Sequence, residues 1–395
     1  MAVEQPAPAK VKLPPLWLSA SAVAAGITVA FGIRRWIDHF VSEPDANDLR
    51  GPYVAAEIGL KYGWSHIYER DLQRALSAGF GPLGSVISPD HNYVGPPLLA
   101  WLVLPIEPLP LPIAFLIWTL ICLAALIFAW WLVAPGKGLA RITLLLVALA
   151  LYPVHYSFWL GQTVVLIISL LLIVWWLLER QRWAAAGALL AIGLFVKPQH
   201  MLLLPVALLI TGRWRPVAYC ALVTAAIAIV SVVSLGSDGI AAWLNSIAYT
   251  NASPIHSGMT YAYIFGRGPL ATGIGVSLGL IALALAWYRR DRPDLVFGLA
   301  IVGSTASAFY LHEYDPAVLI APAWIVLRHG VSLPQRVWLL FGIVAAQFIA
   351  IALPIPMLLW EAIWIGMLGL EPWLSARTRP LRQADATAAK ARLSG

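Results

Sequence analysis

Charged residues are scarce in this sequence. Only 11% of its 395 residues are Asp, Glu, Lys or Arg, whereas soluble domains carry about 25%. The mean hydropathy is +0.79, and long apolar runs recur from residue 16 to residue 370. This composition excludes a soluble globular protein. It predicts an all-α polytopic membrane protein, with one domain over residues 1–375 and a short tail over residues 376–395.

Cysteines and the motifs of soluble nucleotide-dependent enzymes are also rare or absent. The two cysteines, Cys122 and Cys220, both lie inside apolar runs, so neither a disulfide framework nor a metal cluster is indicated, and the redox compartment stays open. The chain has no Asp-x-Asp motif, no Gly-rich phosphate loop and no alternation of strand and helix patterns. These absences argue against an α/β enzyme that takes nucleotide sugars.

The apolar runs predict about twelve transmembrane helices. We expect the first run to be a retained anchor, because further spans follow it. The segment 93–112 is apolar but rich in proline, so we expect it to be re-entrant or bent rather than a crossing of its own. The predicted spans are 16–33, 111–133, 140–154, 160–178, 183–198, 200–212, 216–235, 269–288, 294–311, 315–328, 336–353 and 356–370.

Basic residues follow every even-numbered span, and the positive-inside rule places such connectors in the cytoplasm together with both termini. We therefore expect a multi-pass protein of a bacterial plasma (inner) membrane, whose other face is periplasmic or extracellular. The basic tail 376–395 is expected to be disordered and to lie near anionic lipid. The connector residues are Lys137, Arg141, Arg180, Arg182, Arg213, Arg215, Arg289, Arg290, Arg292, Arg328 and Arg336.

Most of the uncommon polar residues fall on the predicted external face. Ionisable groups at membrane depth are costly, so several that converge at one depth indicate a functional cavity. Taken singly, each His or Tyr could instead be an interfacial anchor. The histidines at or near external ends of spans are His66, His91, His155, His200, His256 and His312.

Lys197 lies in the stretch "FVKPQHMLLLP", directly before Pro198 and between two apolar runs. It could snorkel to the outer head groups, or it could serve a site, and the sequence leaves both open. Two other features could likewise have either a local structural role or a role in a site. Gly161 and Gln162 could cap a helix, and "HEYDP" from His312 could be a charged turn.

The first external loop, residues 35–95, is the richest polar segment. From Tyr53 onward its apolar residues recur at helical spacing, which predicts one or two amphipathic helices on the membrane surface. Asp45 and Asp48 come directly before this pattern. Asp48 is therefore either a helix N-cap or a carboxylate that can act as a general base on an alcohol.

Five segments together resemble a known family. In order and spacing they are similar to the polyprenol-phosphate-sugar-dependent glycosyltransferases of the GT-C superfamily, specifically glycosyltransferase family 87, over about residues 45 to 325. That family includes mannosyltransferases that form α-1,2-linked mannose on lipid-linked glycans. The segments are "NDLRGPYVAAEIGLKYGWSHIYE", "YVGPPLLAWLVLP", "YPVHYSFWLGQTVVLIISLLL", "RWAAAGALLAIGLFVKPQHMLLLPVALL" and "HEYDPAVLIAP".

The resemblance implies a GT-C-like helical bundle whose first external loop, about residues 35–110, carries the catalytic Asp, matched here by Asp48. The family usually has an aromatic residue and a Tyr where this chain has Leu49 and Pro52, while Tyr53 is kept. These departures leave the sugar open. Asp45 remains a rival base.

The resemblance also implies a mechanism. Asp48 would take the proton of the acceptor hydroxyl in a direct displacement with inversion. Lys197 would supply positive charge to the phosphate of a lipid-linked donor, where charge-assisted bonds are strong and leaving-group charge grows. No cofactor is expected and a metal is not indicated, although Asp45 with Asp48 could hold one cation. The residues expected to bind donor phosphate or sugar are Lys197, Gln162, His200, His312 and Tyr53.

The partners implied are a polyprenyl-phosphate-linked sugar donor, with mannose as the first choice, a glycolipid or glycan acceptor of the cell envelope, and membrane lipids, without nucleic acid. Other classes make different predictions. A transporter or flippase of lipid-linked sugars would spread polar groups through both halves of the membrane. A polysaccharide ligase or polymerase would favour external arginines, and a structural scaffold would leave Lys197 and Asp48 replaceable.

Overall fold

The computed structural model describes residues 14–45, 47–80, 92–252 and 258–371. Within these ranges the regular elements are helices and no strand occurs, which confirms the all-α class. His91, His256 and the tail after residue 375 lie outside the described residues. The α-helices are α1 Leu16–Ser42, α2 Arg50–Lys61, α3 Arg70–Ser77, α4 Pro97–Val103, α5 Leu111–Val133, α6 Gly138–Ala150, α7 Tyr152–Leu160, α8 Val164–Glu179, α9 Trp183–Val196, α10 Leu203–Ile210, α11 Trp214–Ala252, α12 Ala262–Phe265, α13 Pro269–Tyr288, α14 Pro293–Ala306, α15 Ile320–Arg328, α16 Leu333–Phe348 and α17, residues 355–371.

Several of these helices are long and apolar enough to cross a membrane. In the described part they are α1, α5, α11, α13 and a span that begins with α16, five in all, and the pair α6 and α7, bent by 60°, makes a sixth if it counts as one span. Helices α8, α9 and α14 are apolar but shorter. The chain is therefore polytopic, while the number twelve stays a prediction.

Short elements account for the difference in count. Helices α10 and α15 have only eight and nine residues, and each follows a 3₁₀ turn that begins at or next to a proline, a residue that cannot continue a helix hydrogen-bond ladder. Helix α4 has seven residues, a length of about 10 Å against a hydrocarbon core of about 30 Å. The described part of segment 93–112 thus holds no helix able to cross.

The first loop forms the predicted helices, α2 and α3, but α2 lies inside the protein. This corrects the prediction of a surface helix for α2, whereas α3 has only Gln73 buried. Nine of the twelve residues of α2 are buried, and it packs against α4. The packing is close, because a Cβ at Gly59 would come within 2.7 Å of the Trp64 ring. Apolar spacing alone does not separate a helix that faces lipid from one that faces protein.

The core is built around helices that are apolar on all sides, as buried helices are. In α14, 13 of 14 residues are buried, and ten of the 16 in α8. Small residues allow close helix approach, as in other membrane bundles: a Cβ at Gly187 in α9 would lie 2.5 Å from the Pro216 carbonyl of α11. The rigid core holds the ends of α8, α9 and α14 in place.

The basic connectors contact one another at one end of the helices. Arg213 Nη2 donates to the carbonyl of Arg290 at 3.0 Å. Arg328 Nη1 donates to the carbonyl of Val133 at 3.1 Å, and its Nη2 lies 3.9 Å from the Glu179 carboxylate. Since Glu179 ends α8, the start of α8 lies at the opposite end. This grouping agrees with the charge pattern, while the side of the membrane stays a prediction.

Candidate active site

A cavity of about 1050 Å³ lies where α8 begins and α9 ends, away from the basic connectors. Its size is at the upper limit of ordinary small-molecule sites, about 300–1,000 Å³. Its walls come from the start of α2, the segment that leads into α4, one residue of α5, the junction of α7 and α8, the end of α9, the end of α11 and the end of α14 with the segment after it. Four predicted site residues line it, namely Asp48, Gln162, Lys197 and His312.

Asp48 comes directly before α2, but its side chain is not needed to cap that helix. The cap position is Leu49, and the amide of Gly51 donates to the backbone carbonyl of Asp48 at 3.3 Å. The Asp48 carboxylate instead accepts a hydrogen bond from Gln162 Nε2. The Asp48 amide donates to the Leu160 carbonyl at 2.7 Å, which fixes the loop to the end of α7. Helix capping therefore does not explain this carboxylate.

The Gly161–Gln162 pair combines a structural and a site role. Gly161 ends α7 in the left-handed conformation, with φ of 71°, so the capping interpretation is correct for the glycine. A Cβ there would meet the Phe115 ring at 3.0 Å, and Trp118 Nε1 donates to the Gly161 carbonyl at 3.0 Å. This tight turn presents the next side chain, Gln162, to Asp48.

Lys197 is paired with an acid. Its Nζ lies 2.7 Å from Asp315 Oδ1, and the side chains are 10% and 0% exposed. His200 Nε2 lies 2.9 Å from the same oxygen, and Lys197 Nζ lies 4.5 Å from the Tyr314 ring centroid. A buried ammonium needs such partners because removing it from water is costly. The geometry excludes a lysine that snorkels to the head groups.

Asp315 also holds the segment that precedes it. Its Oδ2 accepts the backbone N–H of His312 at 2.7 Å, and His312 Nε2 lies 3.1 Å from the Tyr310 hydroxyl. Burial lowers the pKa of His312 below its ordinary value of 6.5; the Asp315 carboxylate opposes this shift, and the Lys197 ammonium adds to it. His312 is therefore neutral near pH 7. The "HEYDP" stretch is part of the cavity and not only a charged turn.

Three predicted site residues do not line the cavity. His200 is fully buried beside the Asp315 carboxylate. Tyr53 donates its hydroxyl to a backbone carbonyl at 2.8 Å, and burial raises its pKa to about 12. Asp45 stands outside the lining, and burial raises the pKa of its carboxyl.

The other described external histidines also lie elsewhere. His66 Nδ1 is 2.6 Å from the Glu69 carboxylate on the surface. His155 packs edge-on against Tyr152 and close to Gly32 of α1. Of the four external histidines that the structure describes, only His312 lines the cavity, and His200 lies behind it beside Asp315.

Sequence reasoning missed Asp315 as a site residue. The available signal was the cost of burying Lys197, since an ammonium in an apolar environment requires an acid nearby. Lys197 follows the end of α9, and Asp315 begins the apolar stretch that leads into α15. An acid at the start of a neighbouring span, at the same predicted depth, was the partner to look for.

The charged groups in the described lining of the large cavity are Asp48, Glu313 and Lys197. Because Asp315 neutralises Lys197, the cavity as a whole is acidic. Across the described part of the chain, no group of three or more His, Cys, Asp or Glu side chains is arranged to hold a metal ion. The functional groups that the cavity lining offers to a substrate are carboxylates, amides and an ion-paired ammonium.

Membrane-length apolar helices around a polar cavity at one end define a polytopic membrane protein with a substrate-sized site. The family model of glycosyltransferase family 87 matches residues 93–312, more than half of the chain. The chain therefore belongs to glycosyltransferase family 87 and is a membrane glycosyltransferase. Searches of curated proteins and of solved structures gave no match. The matched region begins after Asp48, so a role for Asp48 rests on its place in the cavity.

Proposed function

We propose that this glycosyltransferase moves a hexose, with mannose as the first candidate, from a polyprenyl-phosphate-linked donor to a lipid-linked or glycan acceptor, with inversion at the anomeric carbon. The observation that carries the proposal is that Asp48 and Lys197, distant in sequence, line one cavity. A carboxylate and a cation in one cavity are the two groups that activation of an alcohol and departure of a phosphate require.

In the proposed reaction, Asp48 accepts the proton of the acceptor hydroxyl, whose oxygen forms the new bond to the anomeric carbon. The bond from that carbon to the phosphate oxygen breaks, and its electron pair leaves with the polyprenyl phosphate. Attack on the face opposite the leaving group turns a β-linked donor into an α-linked product. Gln162 supports this step because its hydrogen bond holds the Asp48 carboxylate in one orientation.

Lys197 is proposed to hydrogen-bond the departing phosphate. An ammonium carries three N–H donors, of which one is directed at Asp315. The ion pair lowers the net charge of Lys197, but it also fixes the donors in place, so little reorganisation is needed as the leaving group gains charge. His312, in the same lining, is proposed to bond a sugar hydroxyl or the phosphate.

The remaining predicted site residues have supporting roles in this proposal. His200 holds Asp315 through the 2.9 Å contact and thereby Lys197. Tyr53 fixes α2 through its bond to a backbone carbonyl. Asp45 is the alternative base.

We further propose that the protein lies in a bacterial plasma membrane with the cavity on the external face, because the basic connectors group at the other end.

The test is sugar transfer by the purified protein in lipid nanodiscs, with radiolabelled polyprenyl-phosphate mannose and a membrane lipid extract as acceptor. Asp48→Asn should abolish transfer without loss of fold. Asp71→Asn, a fully exposed Asp of the same loop, is the matched control and should keep it. If Asp48→Asn keeps activity and Asp45→Asn loses it, Asp45 is the base. A folded wild type that transfers no mannose, arabinose or glucose would refute the proposal.

A further inference from the structure

Glu313 lines the large cavity, but the proposed reaction gives its carboxylate no task. The nearby acids are held by other side chains. Asp48 accepts a hydrogen bond from Gln162, and Asp315 is paired with a lysine. Glu313 is half-buried, and within the described residues its carboxylate forms no hydrogen bond or ion pair. Both of its acceptor oxygens are therefore open to a substrate.

A tight turn over residues 312–315 carries Glu313. Two hydrogen bonds join its ends: the His312 amide donates to Asp315 Oδ2 at 2.7 Å, and the Asp315 amide donates to the His312 carbonyl at 3.0 Å. Asp315 is fixed in turn by the Lys197 ammonium. The backbone of Glu313 is thus held in place before a substrate arrives, which lowers the ordering cost of binding.

Three aromatic side chains around Glu313 form one wall of the cavity. They are Tyr156, His312 and Tyr314, and all three line it. The ring centroids of Tyr156 and Tyr314 lie 6.2 Å apart, and those of His312 and Tyr314 lie 5.3 Å apart. The carboxylates of Glu313 and Asp48 both act electrostatically on the Tyr156 hydroxyl and on the His312 ring. The two acids therefore lie near the same aromatic wall.

A sugar ring fits this combination of groups. One face of a pyranose consists of C–H groups, which pack on aromatic rings, and its edge carries hydroxyls, which donate to a carboxylate. Hydrogen bonds to an ionised acceptor are among the strong ones. Under the proposed function the donor sugar lies at this wall, because its anomeric carbon is bonded to the phosphate at Lys197. The Lys197 Nζ is 4.5 Å from the centroid of the Tyr314 ring.

We propose that Glu313 selects the sugar of the donor: its carboxylate accepts hydrogen bonds from hydroxyls at the edge of the sugar ring, while the C–H face packs on the aromatic wall. This role rests on the proposed function, which places the donor phosphate at Lys197. A sugar that lacks the hydroxyl bonded to Glu313 leaves a carboxylate without its partner, and the site rejects it for that reason. Deoxy sugars are therefore poor donors.

The experiment measures donor binding directly, by native mass spectrometry of the full chain in nanodiscs of phosphatidylcholine. The probes are polyprenyl-phosphate mannose, its monodeoxy forms and sugar-free polyprenyl phosphate. The wild type should bind at least one monodeoxy donor about tenfold more weakly than the mannose donor, the size of a lost hydrogen bond to a charged group. Glu43→Gln, at an exposed acid outside the lining, is the matched control and should bind like the wild type.

Glu313→Gln should bind the mannose donor about tenfold more weakly and should no longer distinguish it from that monodeoxy donor. Its binding of sugar-free polyprenyl phosphate should be unchanged or tighter, because the substitution removes a negative charge near the phosphate. Loss of charge alone would strengthen binding of both lipids, so the opposite signs identify contact with the sugar. Glu313→Asp keeps the charge but shortens the side chain. It serves if the glutamine protein is unstable, and it should weaken only the sugar donor.

Full binding of the mannose donor by Glu313→Gln would overturn the role of Glu313, as would an equal loss for sugar-free polyprenyl phosphate. A wild type that binds mannose, glucose and arabinose donors no more tightly than the sugar-free lipid would overturn it as well. If the wild type transfers no sugar but binds the mannose donor through Glu313, the proposed reaction fails and this role stands. The reverse holds for an active wild type whose donor binding ignores Glu313.

Discussion

Lys197 Nζ lies 2.7 Å from Asp315 Oδ1, across 118 positions of sequence. The pair joins the residue after α9 to the first residue of the turn that leads into α15. Because Asp315 also accepts the amide of His312, one carboxylate fixes both the cation and a histidine of the cavity. Site geometry and fold stability therefore depend on the same ion pair.

Asp315→Ala should destabilise the protein strongly, because it leaves Lys197 buried without its acid. Breaking a buried pair from one side costs about 3–5 kcal/mol. The double variant Lys197→Met with Asp315→Ala should lose less than the sum of the two single variants, because no lone charge remains buried. Thermal and denaturant unfolding in nanodiscs or detergent measures this coupling. Asp291→Ala, at an exposed acid near the other end of the helices, is the control, and strictly additive losses would contradict the coupling.

Gln162→Met should lower kcat and leave KM for the donor nearly unchanged. Methionine is close to glutamine in size but removes the amide that donates to Asp48. A hydrogen bond to a charged group contributes about 1.5–3 kcal/mol, so the expected fall in kcat is roughly tenfold to a hundredfold. The measurement is steady-state transfer over a range of donor concentrations. A rise in KM at constant kcat would show that Gln162 binds donor instead of orienting the base.

Because of His312, we expect the folded protein to lose stability in mild acid. Burial holds its folded pKa below 6.5, so as the pH falls below about 6.5 the unfolded chain binds more protons than the folded one. The stability that the neutral ring contributes is therefore present above that pH and is lost progressively below it. In the folded protein the charged groups that act on the ring are the Lys197 ammonium, which lowers its pKa further, and the carboxylates of Asp315, Glu313 and Asp48, which oppose the shift without outweighing burial.

Melting temperatures between about pH 7.5 and pH 5.5 test this prediction. The wild type should lose more stability over the range than His312→Gln, which cannot take up a proton. The comparison with the variant removes the contribution of other histidines. Equal slopes for the two proteins would show that His312 is not titrating in this window.

Much of the fold could be predicted from hydropathy and charge. Apolar runs identified the helices, and the basic connectors indicated which helix ends lie together, as the contact of Arg213 with Arg290 shows. The burial of α2 could not be predicted, because its apolar face would suit lipid as well as protein. Only the tertiary structure shows that Gly59 packs on Trp64.

The site was predicted in part. Lys197, Gln162, Asp48 and His312 stand out as polar residues in apolar or interfacial sequence, and the structure places all four in one lining. The bond between Gln162 and Asp48 and the pairing with Asp315 join positions more than a hundred residues apart. Helical periodicity carries no information on such contacts, since it describes only one element at a time.

Gly161→Ala should damage both stability and activity. The residue has φ of 71°, a conformation that costs a residue with a Cβ about 1–2 kcal/mol, and the new methyl group would press on the Phe115 ring, 3.0 Å away. Any shift of this turn moves Gln162 and the Asp48 carboxylate it holds, and a displacement near 1 Å can reduce catalysis about a hundredfold.

Gly273→Ala is the matched control for this change, because it lies within α13 and a Cβ there has nothing within 4 Å. It should keep transfer activity and be neutral or slightly stabilising, since alanine favours the helix by about 1 kcal/mol over glycine. Unfolding and transfer assays on both variants measure the difference. If Gly161→Ala kept full activity, the turn would not set the position of the base, and the orientation of Asp48 would have to come from the 2.7 Å bond of its own amide to Leu160.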